Sequence, residues 1–173
     1  RRFLYLIVFL GAFLFDWELG ATGLVDETPP LFAAAGRAMS ETGDWLTPKV
    51  NGLNRFDKPP LVYWLMGFFY SLPGNDLWDP LGTWAGRLPS ALSSLVLMLF
   101  LGETILSCRA KNDFPPRRTA LITSLAFALS PLVMIWSRLA VSDALLCGTL
   151  SISLLSGWKC YNNEQKHHFW ATW

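Results

Sequence analysis

Apolar runs alternate with polar, proline- and glycine-rich stretches along this chain, and four runs approach the roughly 20 residues that cross a bilayer as a helix. They cover residues 3–19, 88–107, 119–137 and 143–160. The first, with the core FLYLIVFLGAFLF, follows Arg1-Arg2, a pattern shared with signal peptides. No small-residue cleavage site follows it and further spans do, so a retained helix is the favoured reading. Pro131 lies inside the third run, where neighbouring helices can absorb the carbonyl that a proline frees. Gly148, Ser151, Ser153 and Ser156 suit the fourth to close helix packing in lipid. A fifth span is expected to begin near His168.

The long stretch between the first two runs, residues 20–87, has a different rhythm. Thr28 can cap a helix whose first position is Pro29, and Gly43 can close it after Thr42. Leu31, Ala35 and Met39 share one face, with Ala34 and Ala38 beside it and Arg37 and Glu41 away from it. The pattern predicts a short amphipathic helix in the membrane plane. GDWLTPKVNGLNRF is rich in turn formers and reads as an ordered loop. Lys58 precedes a proline and is pushed out of helical geometry; Pro59-Pro60 then launch an apolar helix from Leu61 to about Leu72, too short to span. It belongs at, or re-entering, the interface, and Pro73-Gly74-Asn75-Asp76 ends it. The fold class is therefore all-α: a polytopic transmembrane helix bundle with interfacial helices in a long first extracytoplasmic loop.

Composition agrees. Of 173 residues, 52% are hydrophobic and 16% charged, against about 25% charged in soluble domains. The net charge of +1 gives no basis for nucleic-acid binding. Position matters more than sum. Arg1-Arg2, the linker with Arg109, Lys111, Arg117 and Arg118, and the tail with Lys159 and Lys166 all fall on one side if every run crosses. That side is cytoplasmic by the positive-inside rule. Trp17, Trp84, Trp136 and Trp158 fall near span ends, as an interfacial aromatic belt requires. Cys108, Cys147 and Cys160 are odd in number and widely spaced, which argues against a disulfide framework or a zinc site and for reduced, buried thiols. The chain opens without Met and closes on an aromatic run, so a part of a longer protein is expected.

In this topology Asp26, Glu27, Asp57, Lys58, Arg138 and Asp143 share the outer face. Each has a plain alternative. Asp26-Glu27 can favour a helix dipole. Asp57-Lys58 can be a surface ion pair. Asp143 can cap the fourth span, although ionisable residues at membrane depth are functional candidates by default. Arg138 can be a snorkelling anchor. His167-His168 fall on the cytoplasmic side and read as structural or solvated.

LVDETPPLFAAAGRAMSETGDWLTPKVNGLNRFDKPPLVYWL, AGRLPSALSSL and SPLVMIWSRLAVSDALL occur in this order, and together they resemble the N-terminal part of the GT-C class of integral-membrane glycosyltransferases. The aminoarabinose-transferase-like branch, related to the dolichyl-phosphate-mannose protein mannosyltransferases, is the nearest. The resemblance covers residues 24–155. It implies that residues 1–173 are the N-terminal part of one GT-C transmembrane domain lacking the C-terminal spans and soluble domain, inactive alone. It implies a polyprenyl-phosphate-sugar donor and an acceptor that is a glycolipid such as lipid A or a protein hydroxyl. It implies sugar transfer with inversion at the periplasmic or extracellular face of a bacterial inner membrane. Among the residues, Asp26 maps to the catalytic carboxylate with Glu27 beside it, Asp57-Lys58-Pro59-Pro60 to an acidic-Lys-Pro-Pro motif, and Asp143 to the acid opening the fourth span. Two departures stand out: Thr28-Pro29-Pro30 replaces an Arg and a Tyr common in relatives, and Asp57 stands where Glu is frequent.

The residues suit that chemistry. A carboxylate takes the acceptor's proton, and beside a second acid near a low-dielectric surface its pKa is expected to rise. A lipid phosphate leaves as an anion and needs only cationic support, from Lys58 and Arg138. No cofactor is implied with certainty; outer carboxylates could hold a divalent metal. The competing reading is a non-catalytic polytopic membrane protein, a transporter or assembly subunit. A transporter would carry its polar residues near the bilayer midplane, whereas these gather at the outer interface.

Overall fold

The computed structural model describes residues 2–24, 27–74, 79–107 and 116–162; Asp26, Asp76, Cys108, Arg109, Lys111, Lys166, His167, His168 and the expected fifth span lie outside them. The described elements are α1 (Arg2–Asp16), α2 (Thr28–Thr42), β1 (Lys49–Val50), β2 (Leu53–Asn54), α3 (Leu61–Tyr70), α4 (Trp84–Ser107), α5 (Pro116–Ala128), α6 (Pro131–Trp136) and α7 (Ser142–Asn162). The helical class holds, with one small exception. The expected loop after α2 contains a hairpin in which Lys49 faces Asn54 and Val50 faces Leu53. Its turn is Asn51-Gly52, with φ of 52° and 78°, the left-handed pair that a two-residue hairpin requires.

α4 is the hub, packing against α1, α3, α5 and α7. One core gathers Phe32, Met39, Tyr63, Met66, Tyr70 and Ala85 from α2, α3 and the start of α4. The other gathers Ile7, Phe15, Ala91, Met98 and Ala128 from α1, α4 and α5. Helices α2 and α3 approach closely because Gly36 lies against Met66 and the Gly67 backbone, where a Cβ would collide. The buried residues of α2 are Pro29, Phe32, Ala33, Ala35, Gly36 and Met39: Ala35 and Met39 of the expected stripe are among them, whereas Leu31 is half-buried and Ala34 exposed, and Arg37 and Glu41 are exposed as expected.

Two expectations about helix ends change. Thr28 is the first helical residue of α2 and the cap position falls on Glu27, without a side-chain cap bond. The C-terminal end is as expected: Gly43 has φ 72° and donates its N–H to Met39 O. The third run is two helices, not one kinked span. Ser130 is extended (ψ 127°) because Pro131 excludes the helical region for the residue before it.

By length and composition, α4 is the described helix able to cross a membrane; α1 and α3 are apolar but shorter. At about 1.5 Å per residue the 15 residues of α1 reach about 22 Å, short of a hydrocarbon core of about 30 Å. α7 seats on α4 through small residues: Ser93 Oγ donates to Ala144 O at 3.1 Å, Ser90 Oγ to Val141 O at 3.2 Å, and Gly148 meets Ser93. Of the other small residues expected there, Ser156 is buried and Ser153 is exposed; Cys147, expected to be buried, is exposed on the outward side of α7, and Cys160 is half-buried. Lys159, expected in a cytoplasmic tail, instead lies in the last turn of α7. It is buried and paired with Glu103 of α4, with the Phe100 ring 4.6 Å away. The outward faces are apolar: Tyr5, Phe9, Phe13 and Trp17 project from α1 and its end, and Leu146, Leu150, Leu154 and Trp158 from α7.

Candidate functional site

The segment that leads from α1 towards the acidic pair has little apolar surface to bury and is held by cations. Arg87, in the first turn of α4 and 7% exposed, donates through Nη1 to Leu19 O (2.5 Å) and Thr22 Oγ1 (3.3 Å), and through Nη2 to Gly23 O (2.8 Å). Arg138 donates to Leu14 O (3.4 Å) and Trp17 O (2.7 Å). Thr83 Oγ1 adds a bond to Gly20 O at 3.0 Å. The last carbonyls of a helix lack intrahelical partners and carry the negative end of its dipole, so guanidinium groups suit them doubly. The hydrogen-bond acceptors of Arg138 are thus backbone carbonyls at the end of α1.

Asp79 organises the other side of this joint. Its Oδ1 accepts the N–H groups of Thr83 (2.9 Å) and Trp84 (3.0 Å), and its Oδ2 that of Ala85 (2.8 Å). The carboxylate is buried at the positive end of α4, where backbone donors would otherwise be stranded.

Asp57 is exposed, but its partner is not Lys58. Arg55 grips it with two bonds of 2.9 and 2.7 Å, and Tyr63 O–H donates to Oδ1 at 3.1 Å. Arg55 also lies over the Phe32 ring, which packs on Tyr63 with centroids 5.5 Å apart. The plain-ion-pair expectation for Asp57-Lys58 is therefore corrected: adjacent side chains diverge, and the fork of Arg55 fits a carboxylate better than an ammonium does. Slight burial disfavours ionised Asp57, but the Arg55 and Tyr63 bonds outweigh it and hold its carboxyl below the usual carboxylate range. Lys58 is exposed just ahead of α3.

Glu27 is exposed at the start of α2, and Asp143 is exposed in the first turn of α7, accepting from Ser142 Oγ at 3.2 Å. Their segments meet in one core. Ala140, between Arg138 and Asp143, is buried among Phe32, Ala33 and Tyr63, and Leu24 and Leu145 pack on the same cluster. The structure thus brings the approaches to the acidic pair, to the Asp57 motif and to Asp143 to one pole of the bundle. Among the described residues, no three His, Cys, Asp or Glu side chains are grouped to hold a metal ion. Beside this pole runs a groove of about 590 Å³ between α2, the hairpin and the turn before α4.

Residues 57–173 match the family model described as dolichyl-phosphate-mannose-protein mannosyltransferase. The chain belongs to that family. The resemblance drawn from the motifs is borne out. The fold of this family member is similar to the crystal structure of ArnT from Cupriavidus metallidurans. The TM-score is 0.81 in the apo state, with 25% identity over 96% of this chain and 29% of that one. For ArnT bound to undecaprenyl phosphate the TM-score is 0.76, with 27% identity over 90% and 27%. An uncharacterized protein of Aquifex aeolicus (strain VF5) is 32% identical over 89% of this chain and 34% of its own length. The undecaprenyl phosphate-alpha-4-amino-4-deoxy-L-arabinose arabinosyl transferase of Pseudomonas savastanoi pv. phaseolicola is 31% identical over 58% of this chain and 18% of its own. This chain therefore spans roughly a third or less of these relatives.

Four residues with clear work in the mannosyltransferase-family chain were not singled out from the sequence: Arg55, Tyr63, Asp79 and Arg87. For Arg87 a signal existed, since a charge directly at the edge of an apolar run is expensive unless partnered. The other three were within reach too: Arg55 and Tyr63 lie two and six residues from Asp57, and Asp79 lies four to six residues before the N–H groups it accepts.

Proposed function

We propose that this chain is the N-terminal part of the transmembrane domain of a membrane glycosyltransferase that moves a sugar from a polyprenyl-phosphate-linked donor to an acceptor hydroxyl. The observation that carries this reading is the family match, together with a fold shared over nearly the whole chain with a protein crystallised with undecaprenyl phosphate. In this reading the chain crosses the bilayer by α1 with the turn that extends it over residues 17–19, α4, the broken pair α5–α6, and α7, and residues 20–87 face outward. The apolar outward faces of α1 and α7 support it, because soluble monomers rarely expose contiguous apolar stripes of this extent. The membrane is a bacterial inner membrane and transfer takes place on its periplasmic or extracellular side.

Asp26 acts as general base, with Glu27 and Asp143 as neighbouring acids. The acceptor oxygen attacks the anomeric carbon from the face opposite the phosphate, giving inversion. Its proton passes to Asp26 as the bond to the phosphate breaks, and the lipid phosphate leaves as an anion. Lys58 supports that anion. Asp57 keeps the entry to α3 in place through Arg55 and Tyr63. Arg138, which donates one bond from each Nη to the α1 carbonyls, holds the end of α1 in place. The sugar is a pentose or hexose and the acceptor a glycolipid or a protein hydroxyl. Asp26→Asn in the full-length enzyme is expected to lower transfer from a lipid-linked sugar by about a hundredfold or more at unchanged membrane expression. Full activity in that variant would overturn the assignment of Asp26 as base.

A further inference from the structure

We infer that Arg37 anchors an anion subsite in the groove between α2, the β1–β2 hairpin and the turn before α4, and that its ligand is the anionic, hydroxyl-rich headgroup of the acceptor. The inference rests on the transferase reading and adds where its second substrate sits. Arg37 is exposed yet held in place. Its Cζ lies 5.0 Å from the Tyr70 ring centroid, and its Nη2 packs where a side chain on Gly82 would begin. Gly82 has φ 65°, and its carbonyl accepts the buried Tyr70 O–H at 2.5 Å, so ring, turn and guanidinium form one unit. Among the described residues no carboxylate forms an ion pair with Arg37. A planar, pre-positioned guanidinium without an internal anion suits a phosphate or carboxylate.

The groove's other polar groups fit hydroxyls. Glu41, one turn after Arg37, lines it with Thr42 and Asn51. Lys49 also lines it, but its ammonium is matched by Asp44 at 2.9 Å. A volume of about 590 Å³ lies in the range of small-ligand sites. Lys58, the cation assigned to the donor phosphate, does not line this groove. Two cations at separate places match two substrates, and the groove cation falls to the acceptor. Leu24 and Pro30, which flank the acidic pair in sequence, both line the groove.

The test uses the full-length protein in detergent, with glucose 1-phosphate and glucose as headgroup probes and undecaprenyl phosphate as donor-side probe, each titrated by calorimetry. Wild type is expected to bind glucose 1-phosphate about tenfold or more tightly than glucose, the scale of a charge-assisted contact. Arg37→Ala is expected to abolish that preference and to leave undecaprenyl phosphate binding unchanged. Gly82→Ala, which displaces Nη2 while keeping the charge, is expected to reduce the preference, and it carries the test if Arg37→Ala does not fold. An Arg37→Ala protein that keeps the preference overturns the subsite. One that loses undecaprenyl phosphate binding overturns its assignment to the acceptor. A wild type that binds glucose 1-phosphate through Arg37 but not undecaprenyl phosphate would sink the transferase reading and leave the anion subsite standing.

Discussion

Replacing Asp79 by alanine removes the acceptor of three backbone N–H groups at the head of the central helix. Two of the donors, on Thr83 and Ala85, belong to residues that are 4% and 0% exposed, so water does not replace the carboxylate there. Each stranded buried donor costs about 1 kcal/mol or more. The lost negative charge at the helix N-terminus adds about 0.5 kcal/mol. Half-buried Trp84 regains water at little cost. The expected destabilisation is therefore about 3 kcal/mol. Asp79→Asn keeps Oδ1 for Thr83 and Trp84 but turns an amide nitrogen towards Ala85 N–H, so a smaller loss of about 1 kcal/mol is expected. Equilibrium unfolding of the full-length protein in mixed micelles by SDS titration, followed by tryptophan fluorescence, measures both. The diagnostic result is the order: alanine variant least stable, asparagine variant between, wild type most. An alanine variant within about 0.5 kcal/mol of wild type would refute the reasoning, because it would mean that these donors reach water or other acceptors.

Arg87→Ala leaves the Leu19 and Gly23 carbonyls without their donor and is expected to cost about 2–4 kcal/mol by the same unfolding assay, with Arg87→Lys recovering only part because an ammonium cannot span both carbonyls. The pH response of the hairpin–α3 joint follows from Asp57. Its folded-state pKa is depressed, so its pairing contributes fully above the ordinary Asp value of about 3.9 and is lost as pH falls through the depressed value. Hydrogen exchange of α3 amides is therefore expected to be level from pH 7 to about 5, after correction for intrinsic rates, and to quicken near and below pH 4. Arg55→Ala should remove that acid step; an unchanged step would assign it to another carboxylate.

The helices were legible where one face of a local pattern decides the structure. Pro29 at the start of α2, Gly43 at its end and Pro59-Pro60 before α3 act on the backbone within a few residues, and the elements follow them. Pro131 was visible too, but whether it bends or breaks a helix depends on what packs beside it, and Ser130 takes the extended form. The Asn51-Gly52 hairpin turn was legible in principle and outweighed by the turn-rich stretch around it. Lys159 looked like a topogenic flank because a sequence reading does not see Glu103 across the α4–α7 contact.

The candidate site was legible in residue type and less so in what holds it. Arg87 and Arg138 reach carbonyls 64 to 124 residues away, and neither partner leaves a trace in apolar periodicity, since a carbonyl belongs to every residue. The segment before the acidic pair has no helical stripe with which to bury itself, so the side chains that can fix it are those that satisfy its backbone. This is why charge at the rim of α4 and at the α6–α7 junction has structural consequences first. Between α1 and the first turn of α4, Arg87 is spent on backbone carbonyls, and Lys49 and Arg55 are matched by Asp44 and Asp57; that leaves Lys58 and Arg37, both exposed and neither ion-paired among the described residues, as the cations there that the proposed donor phosphate and the inferred acceptor anion would meet.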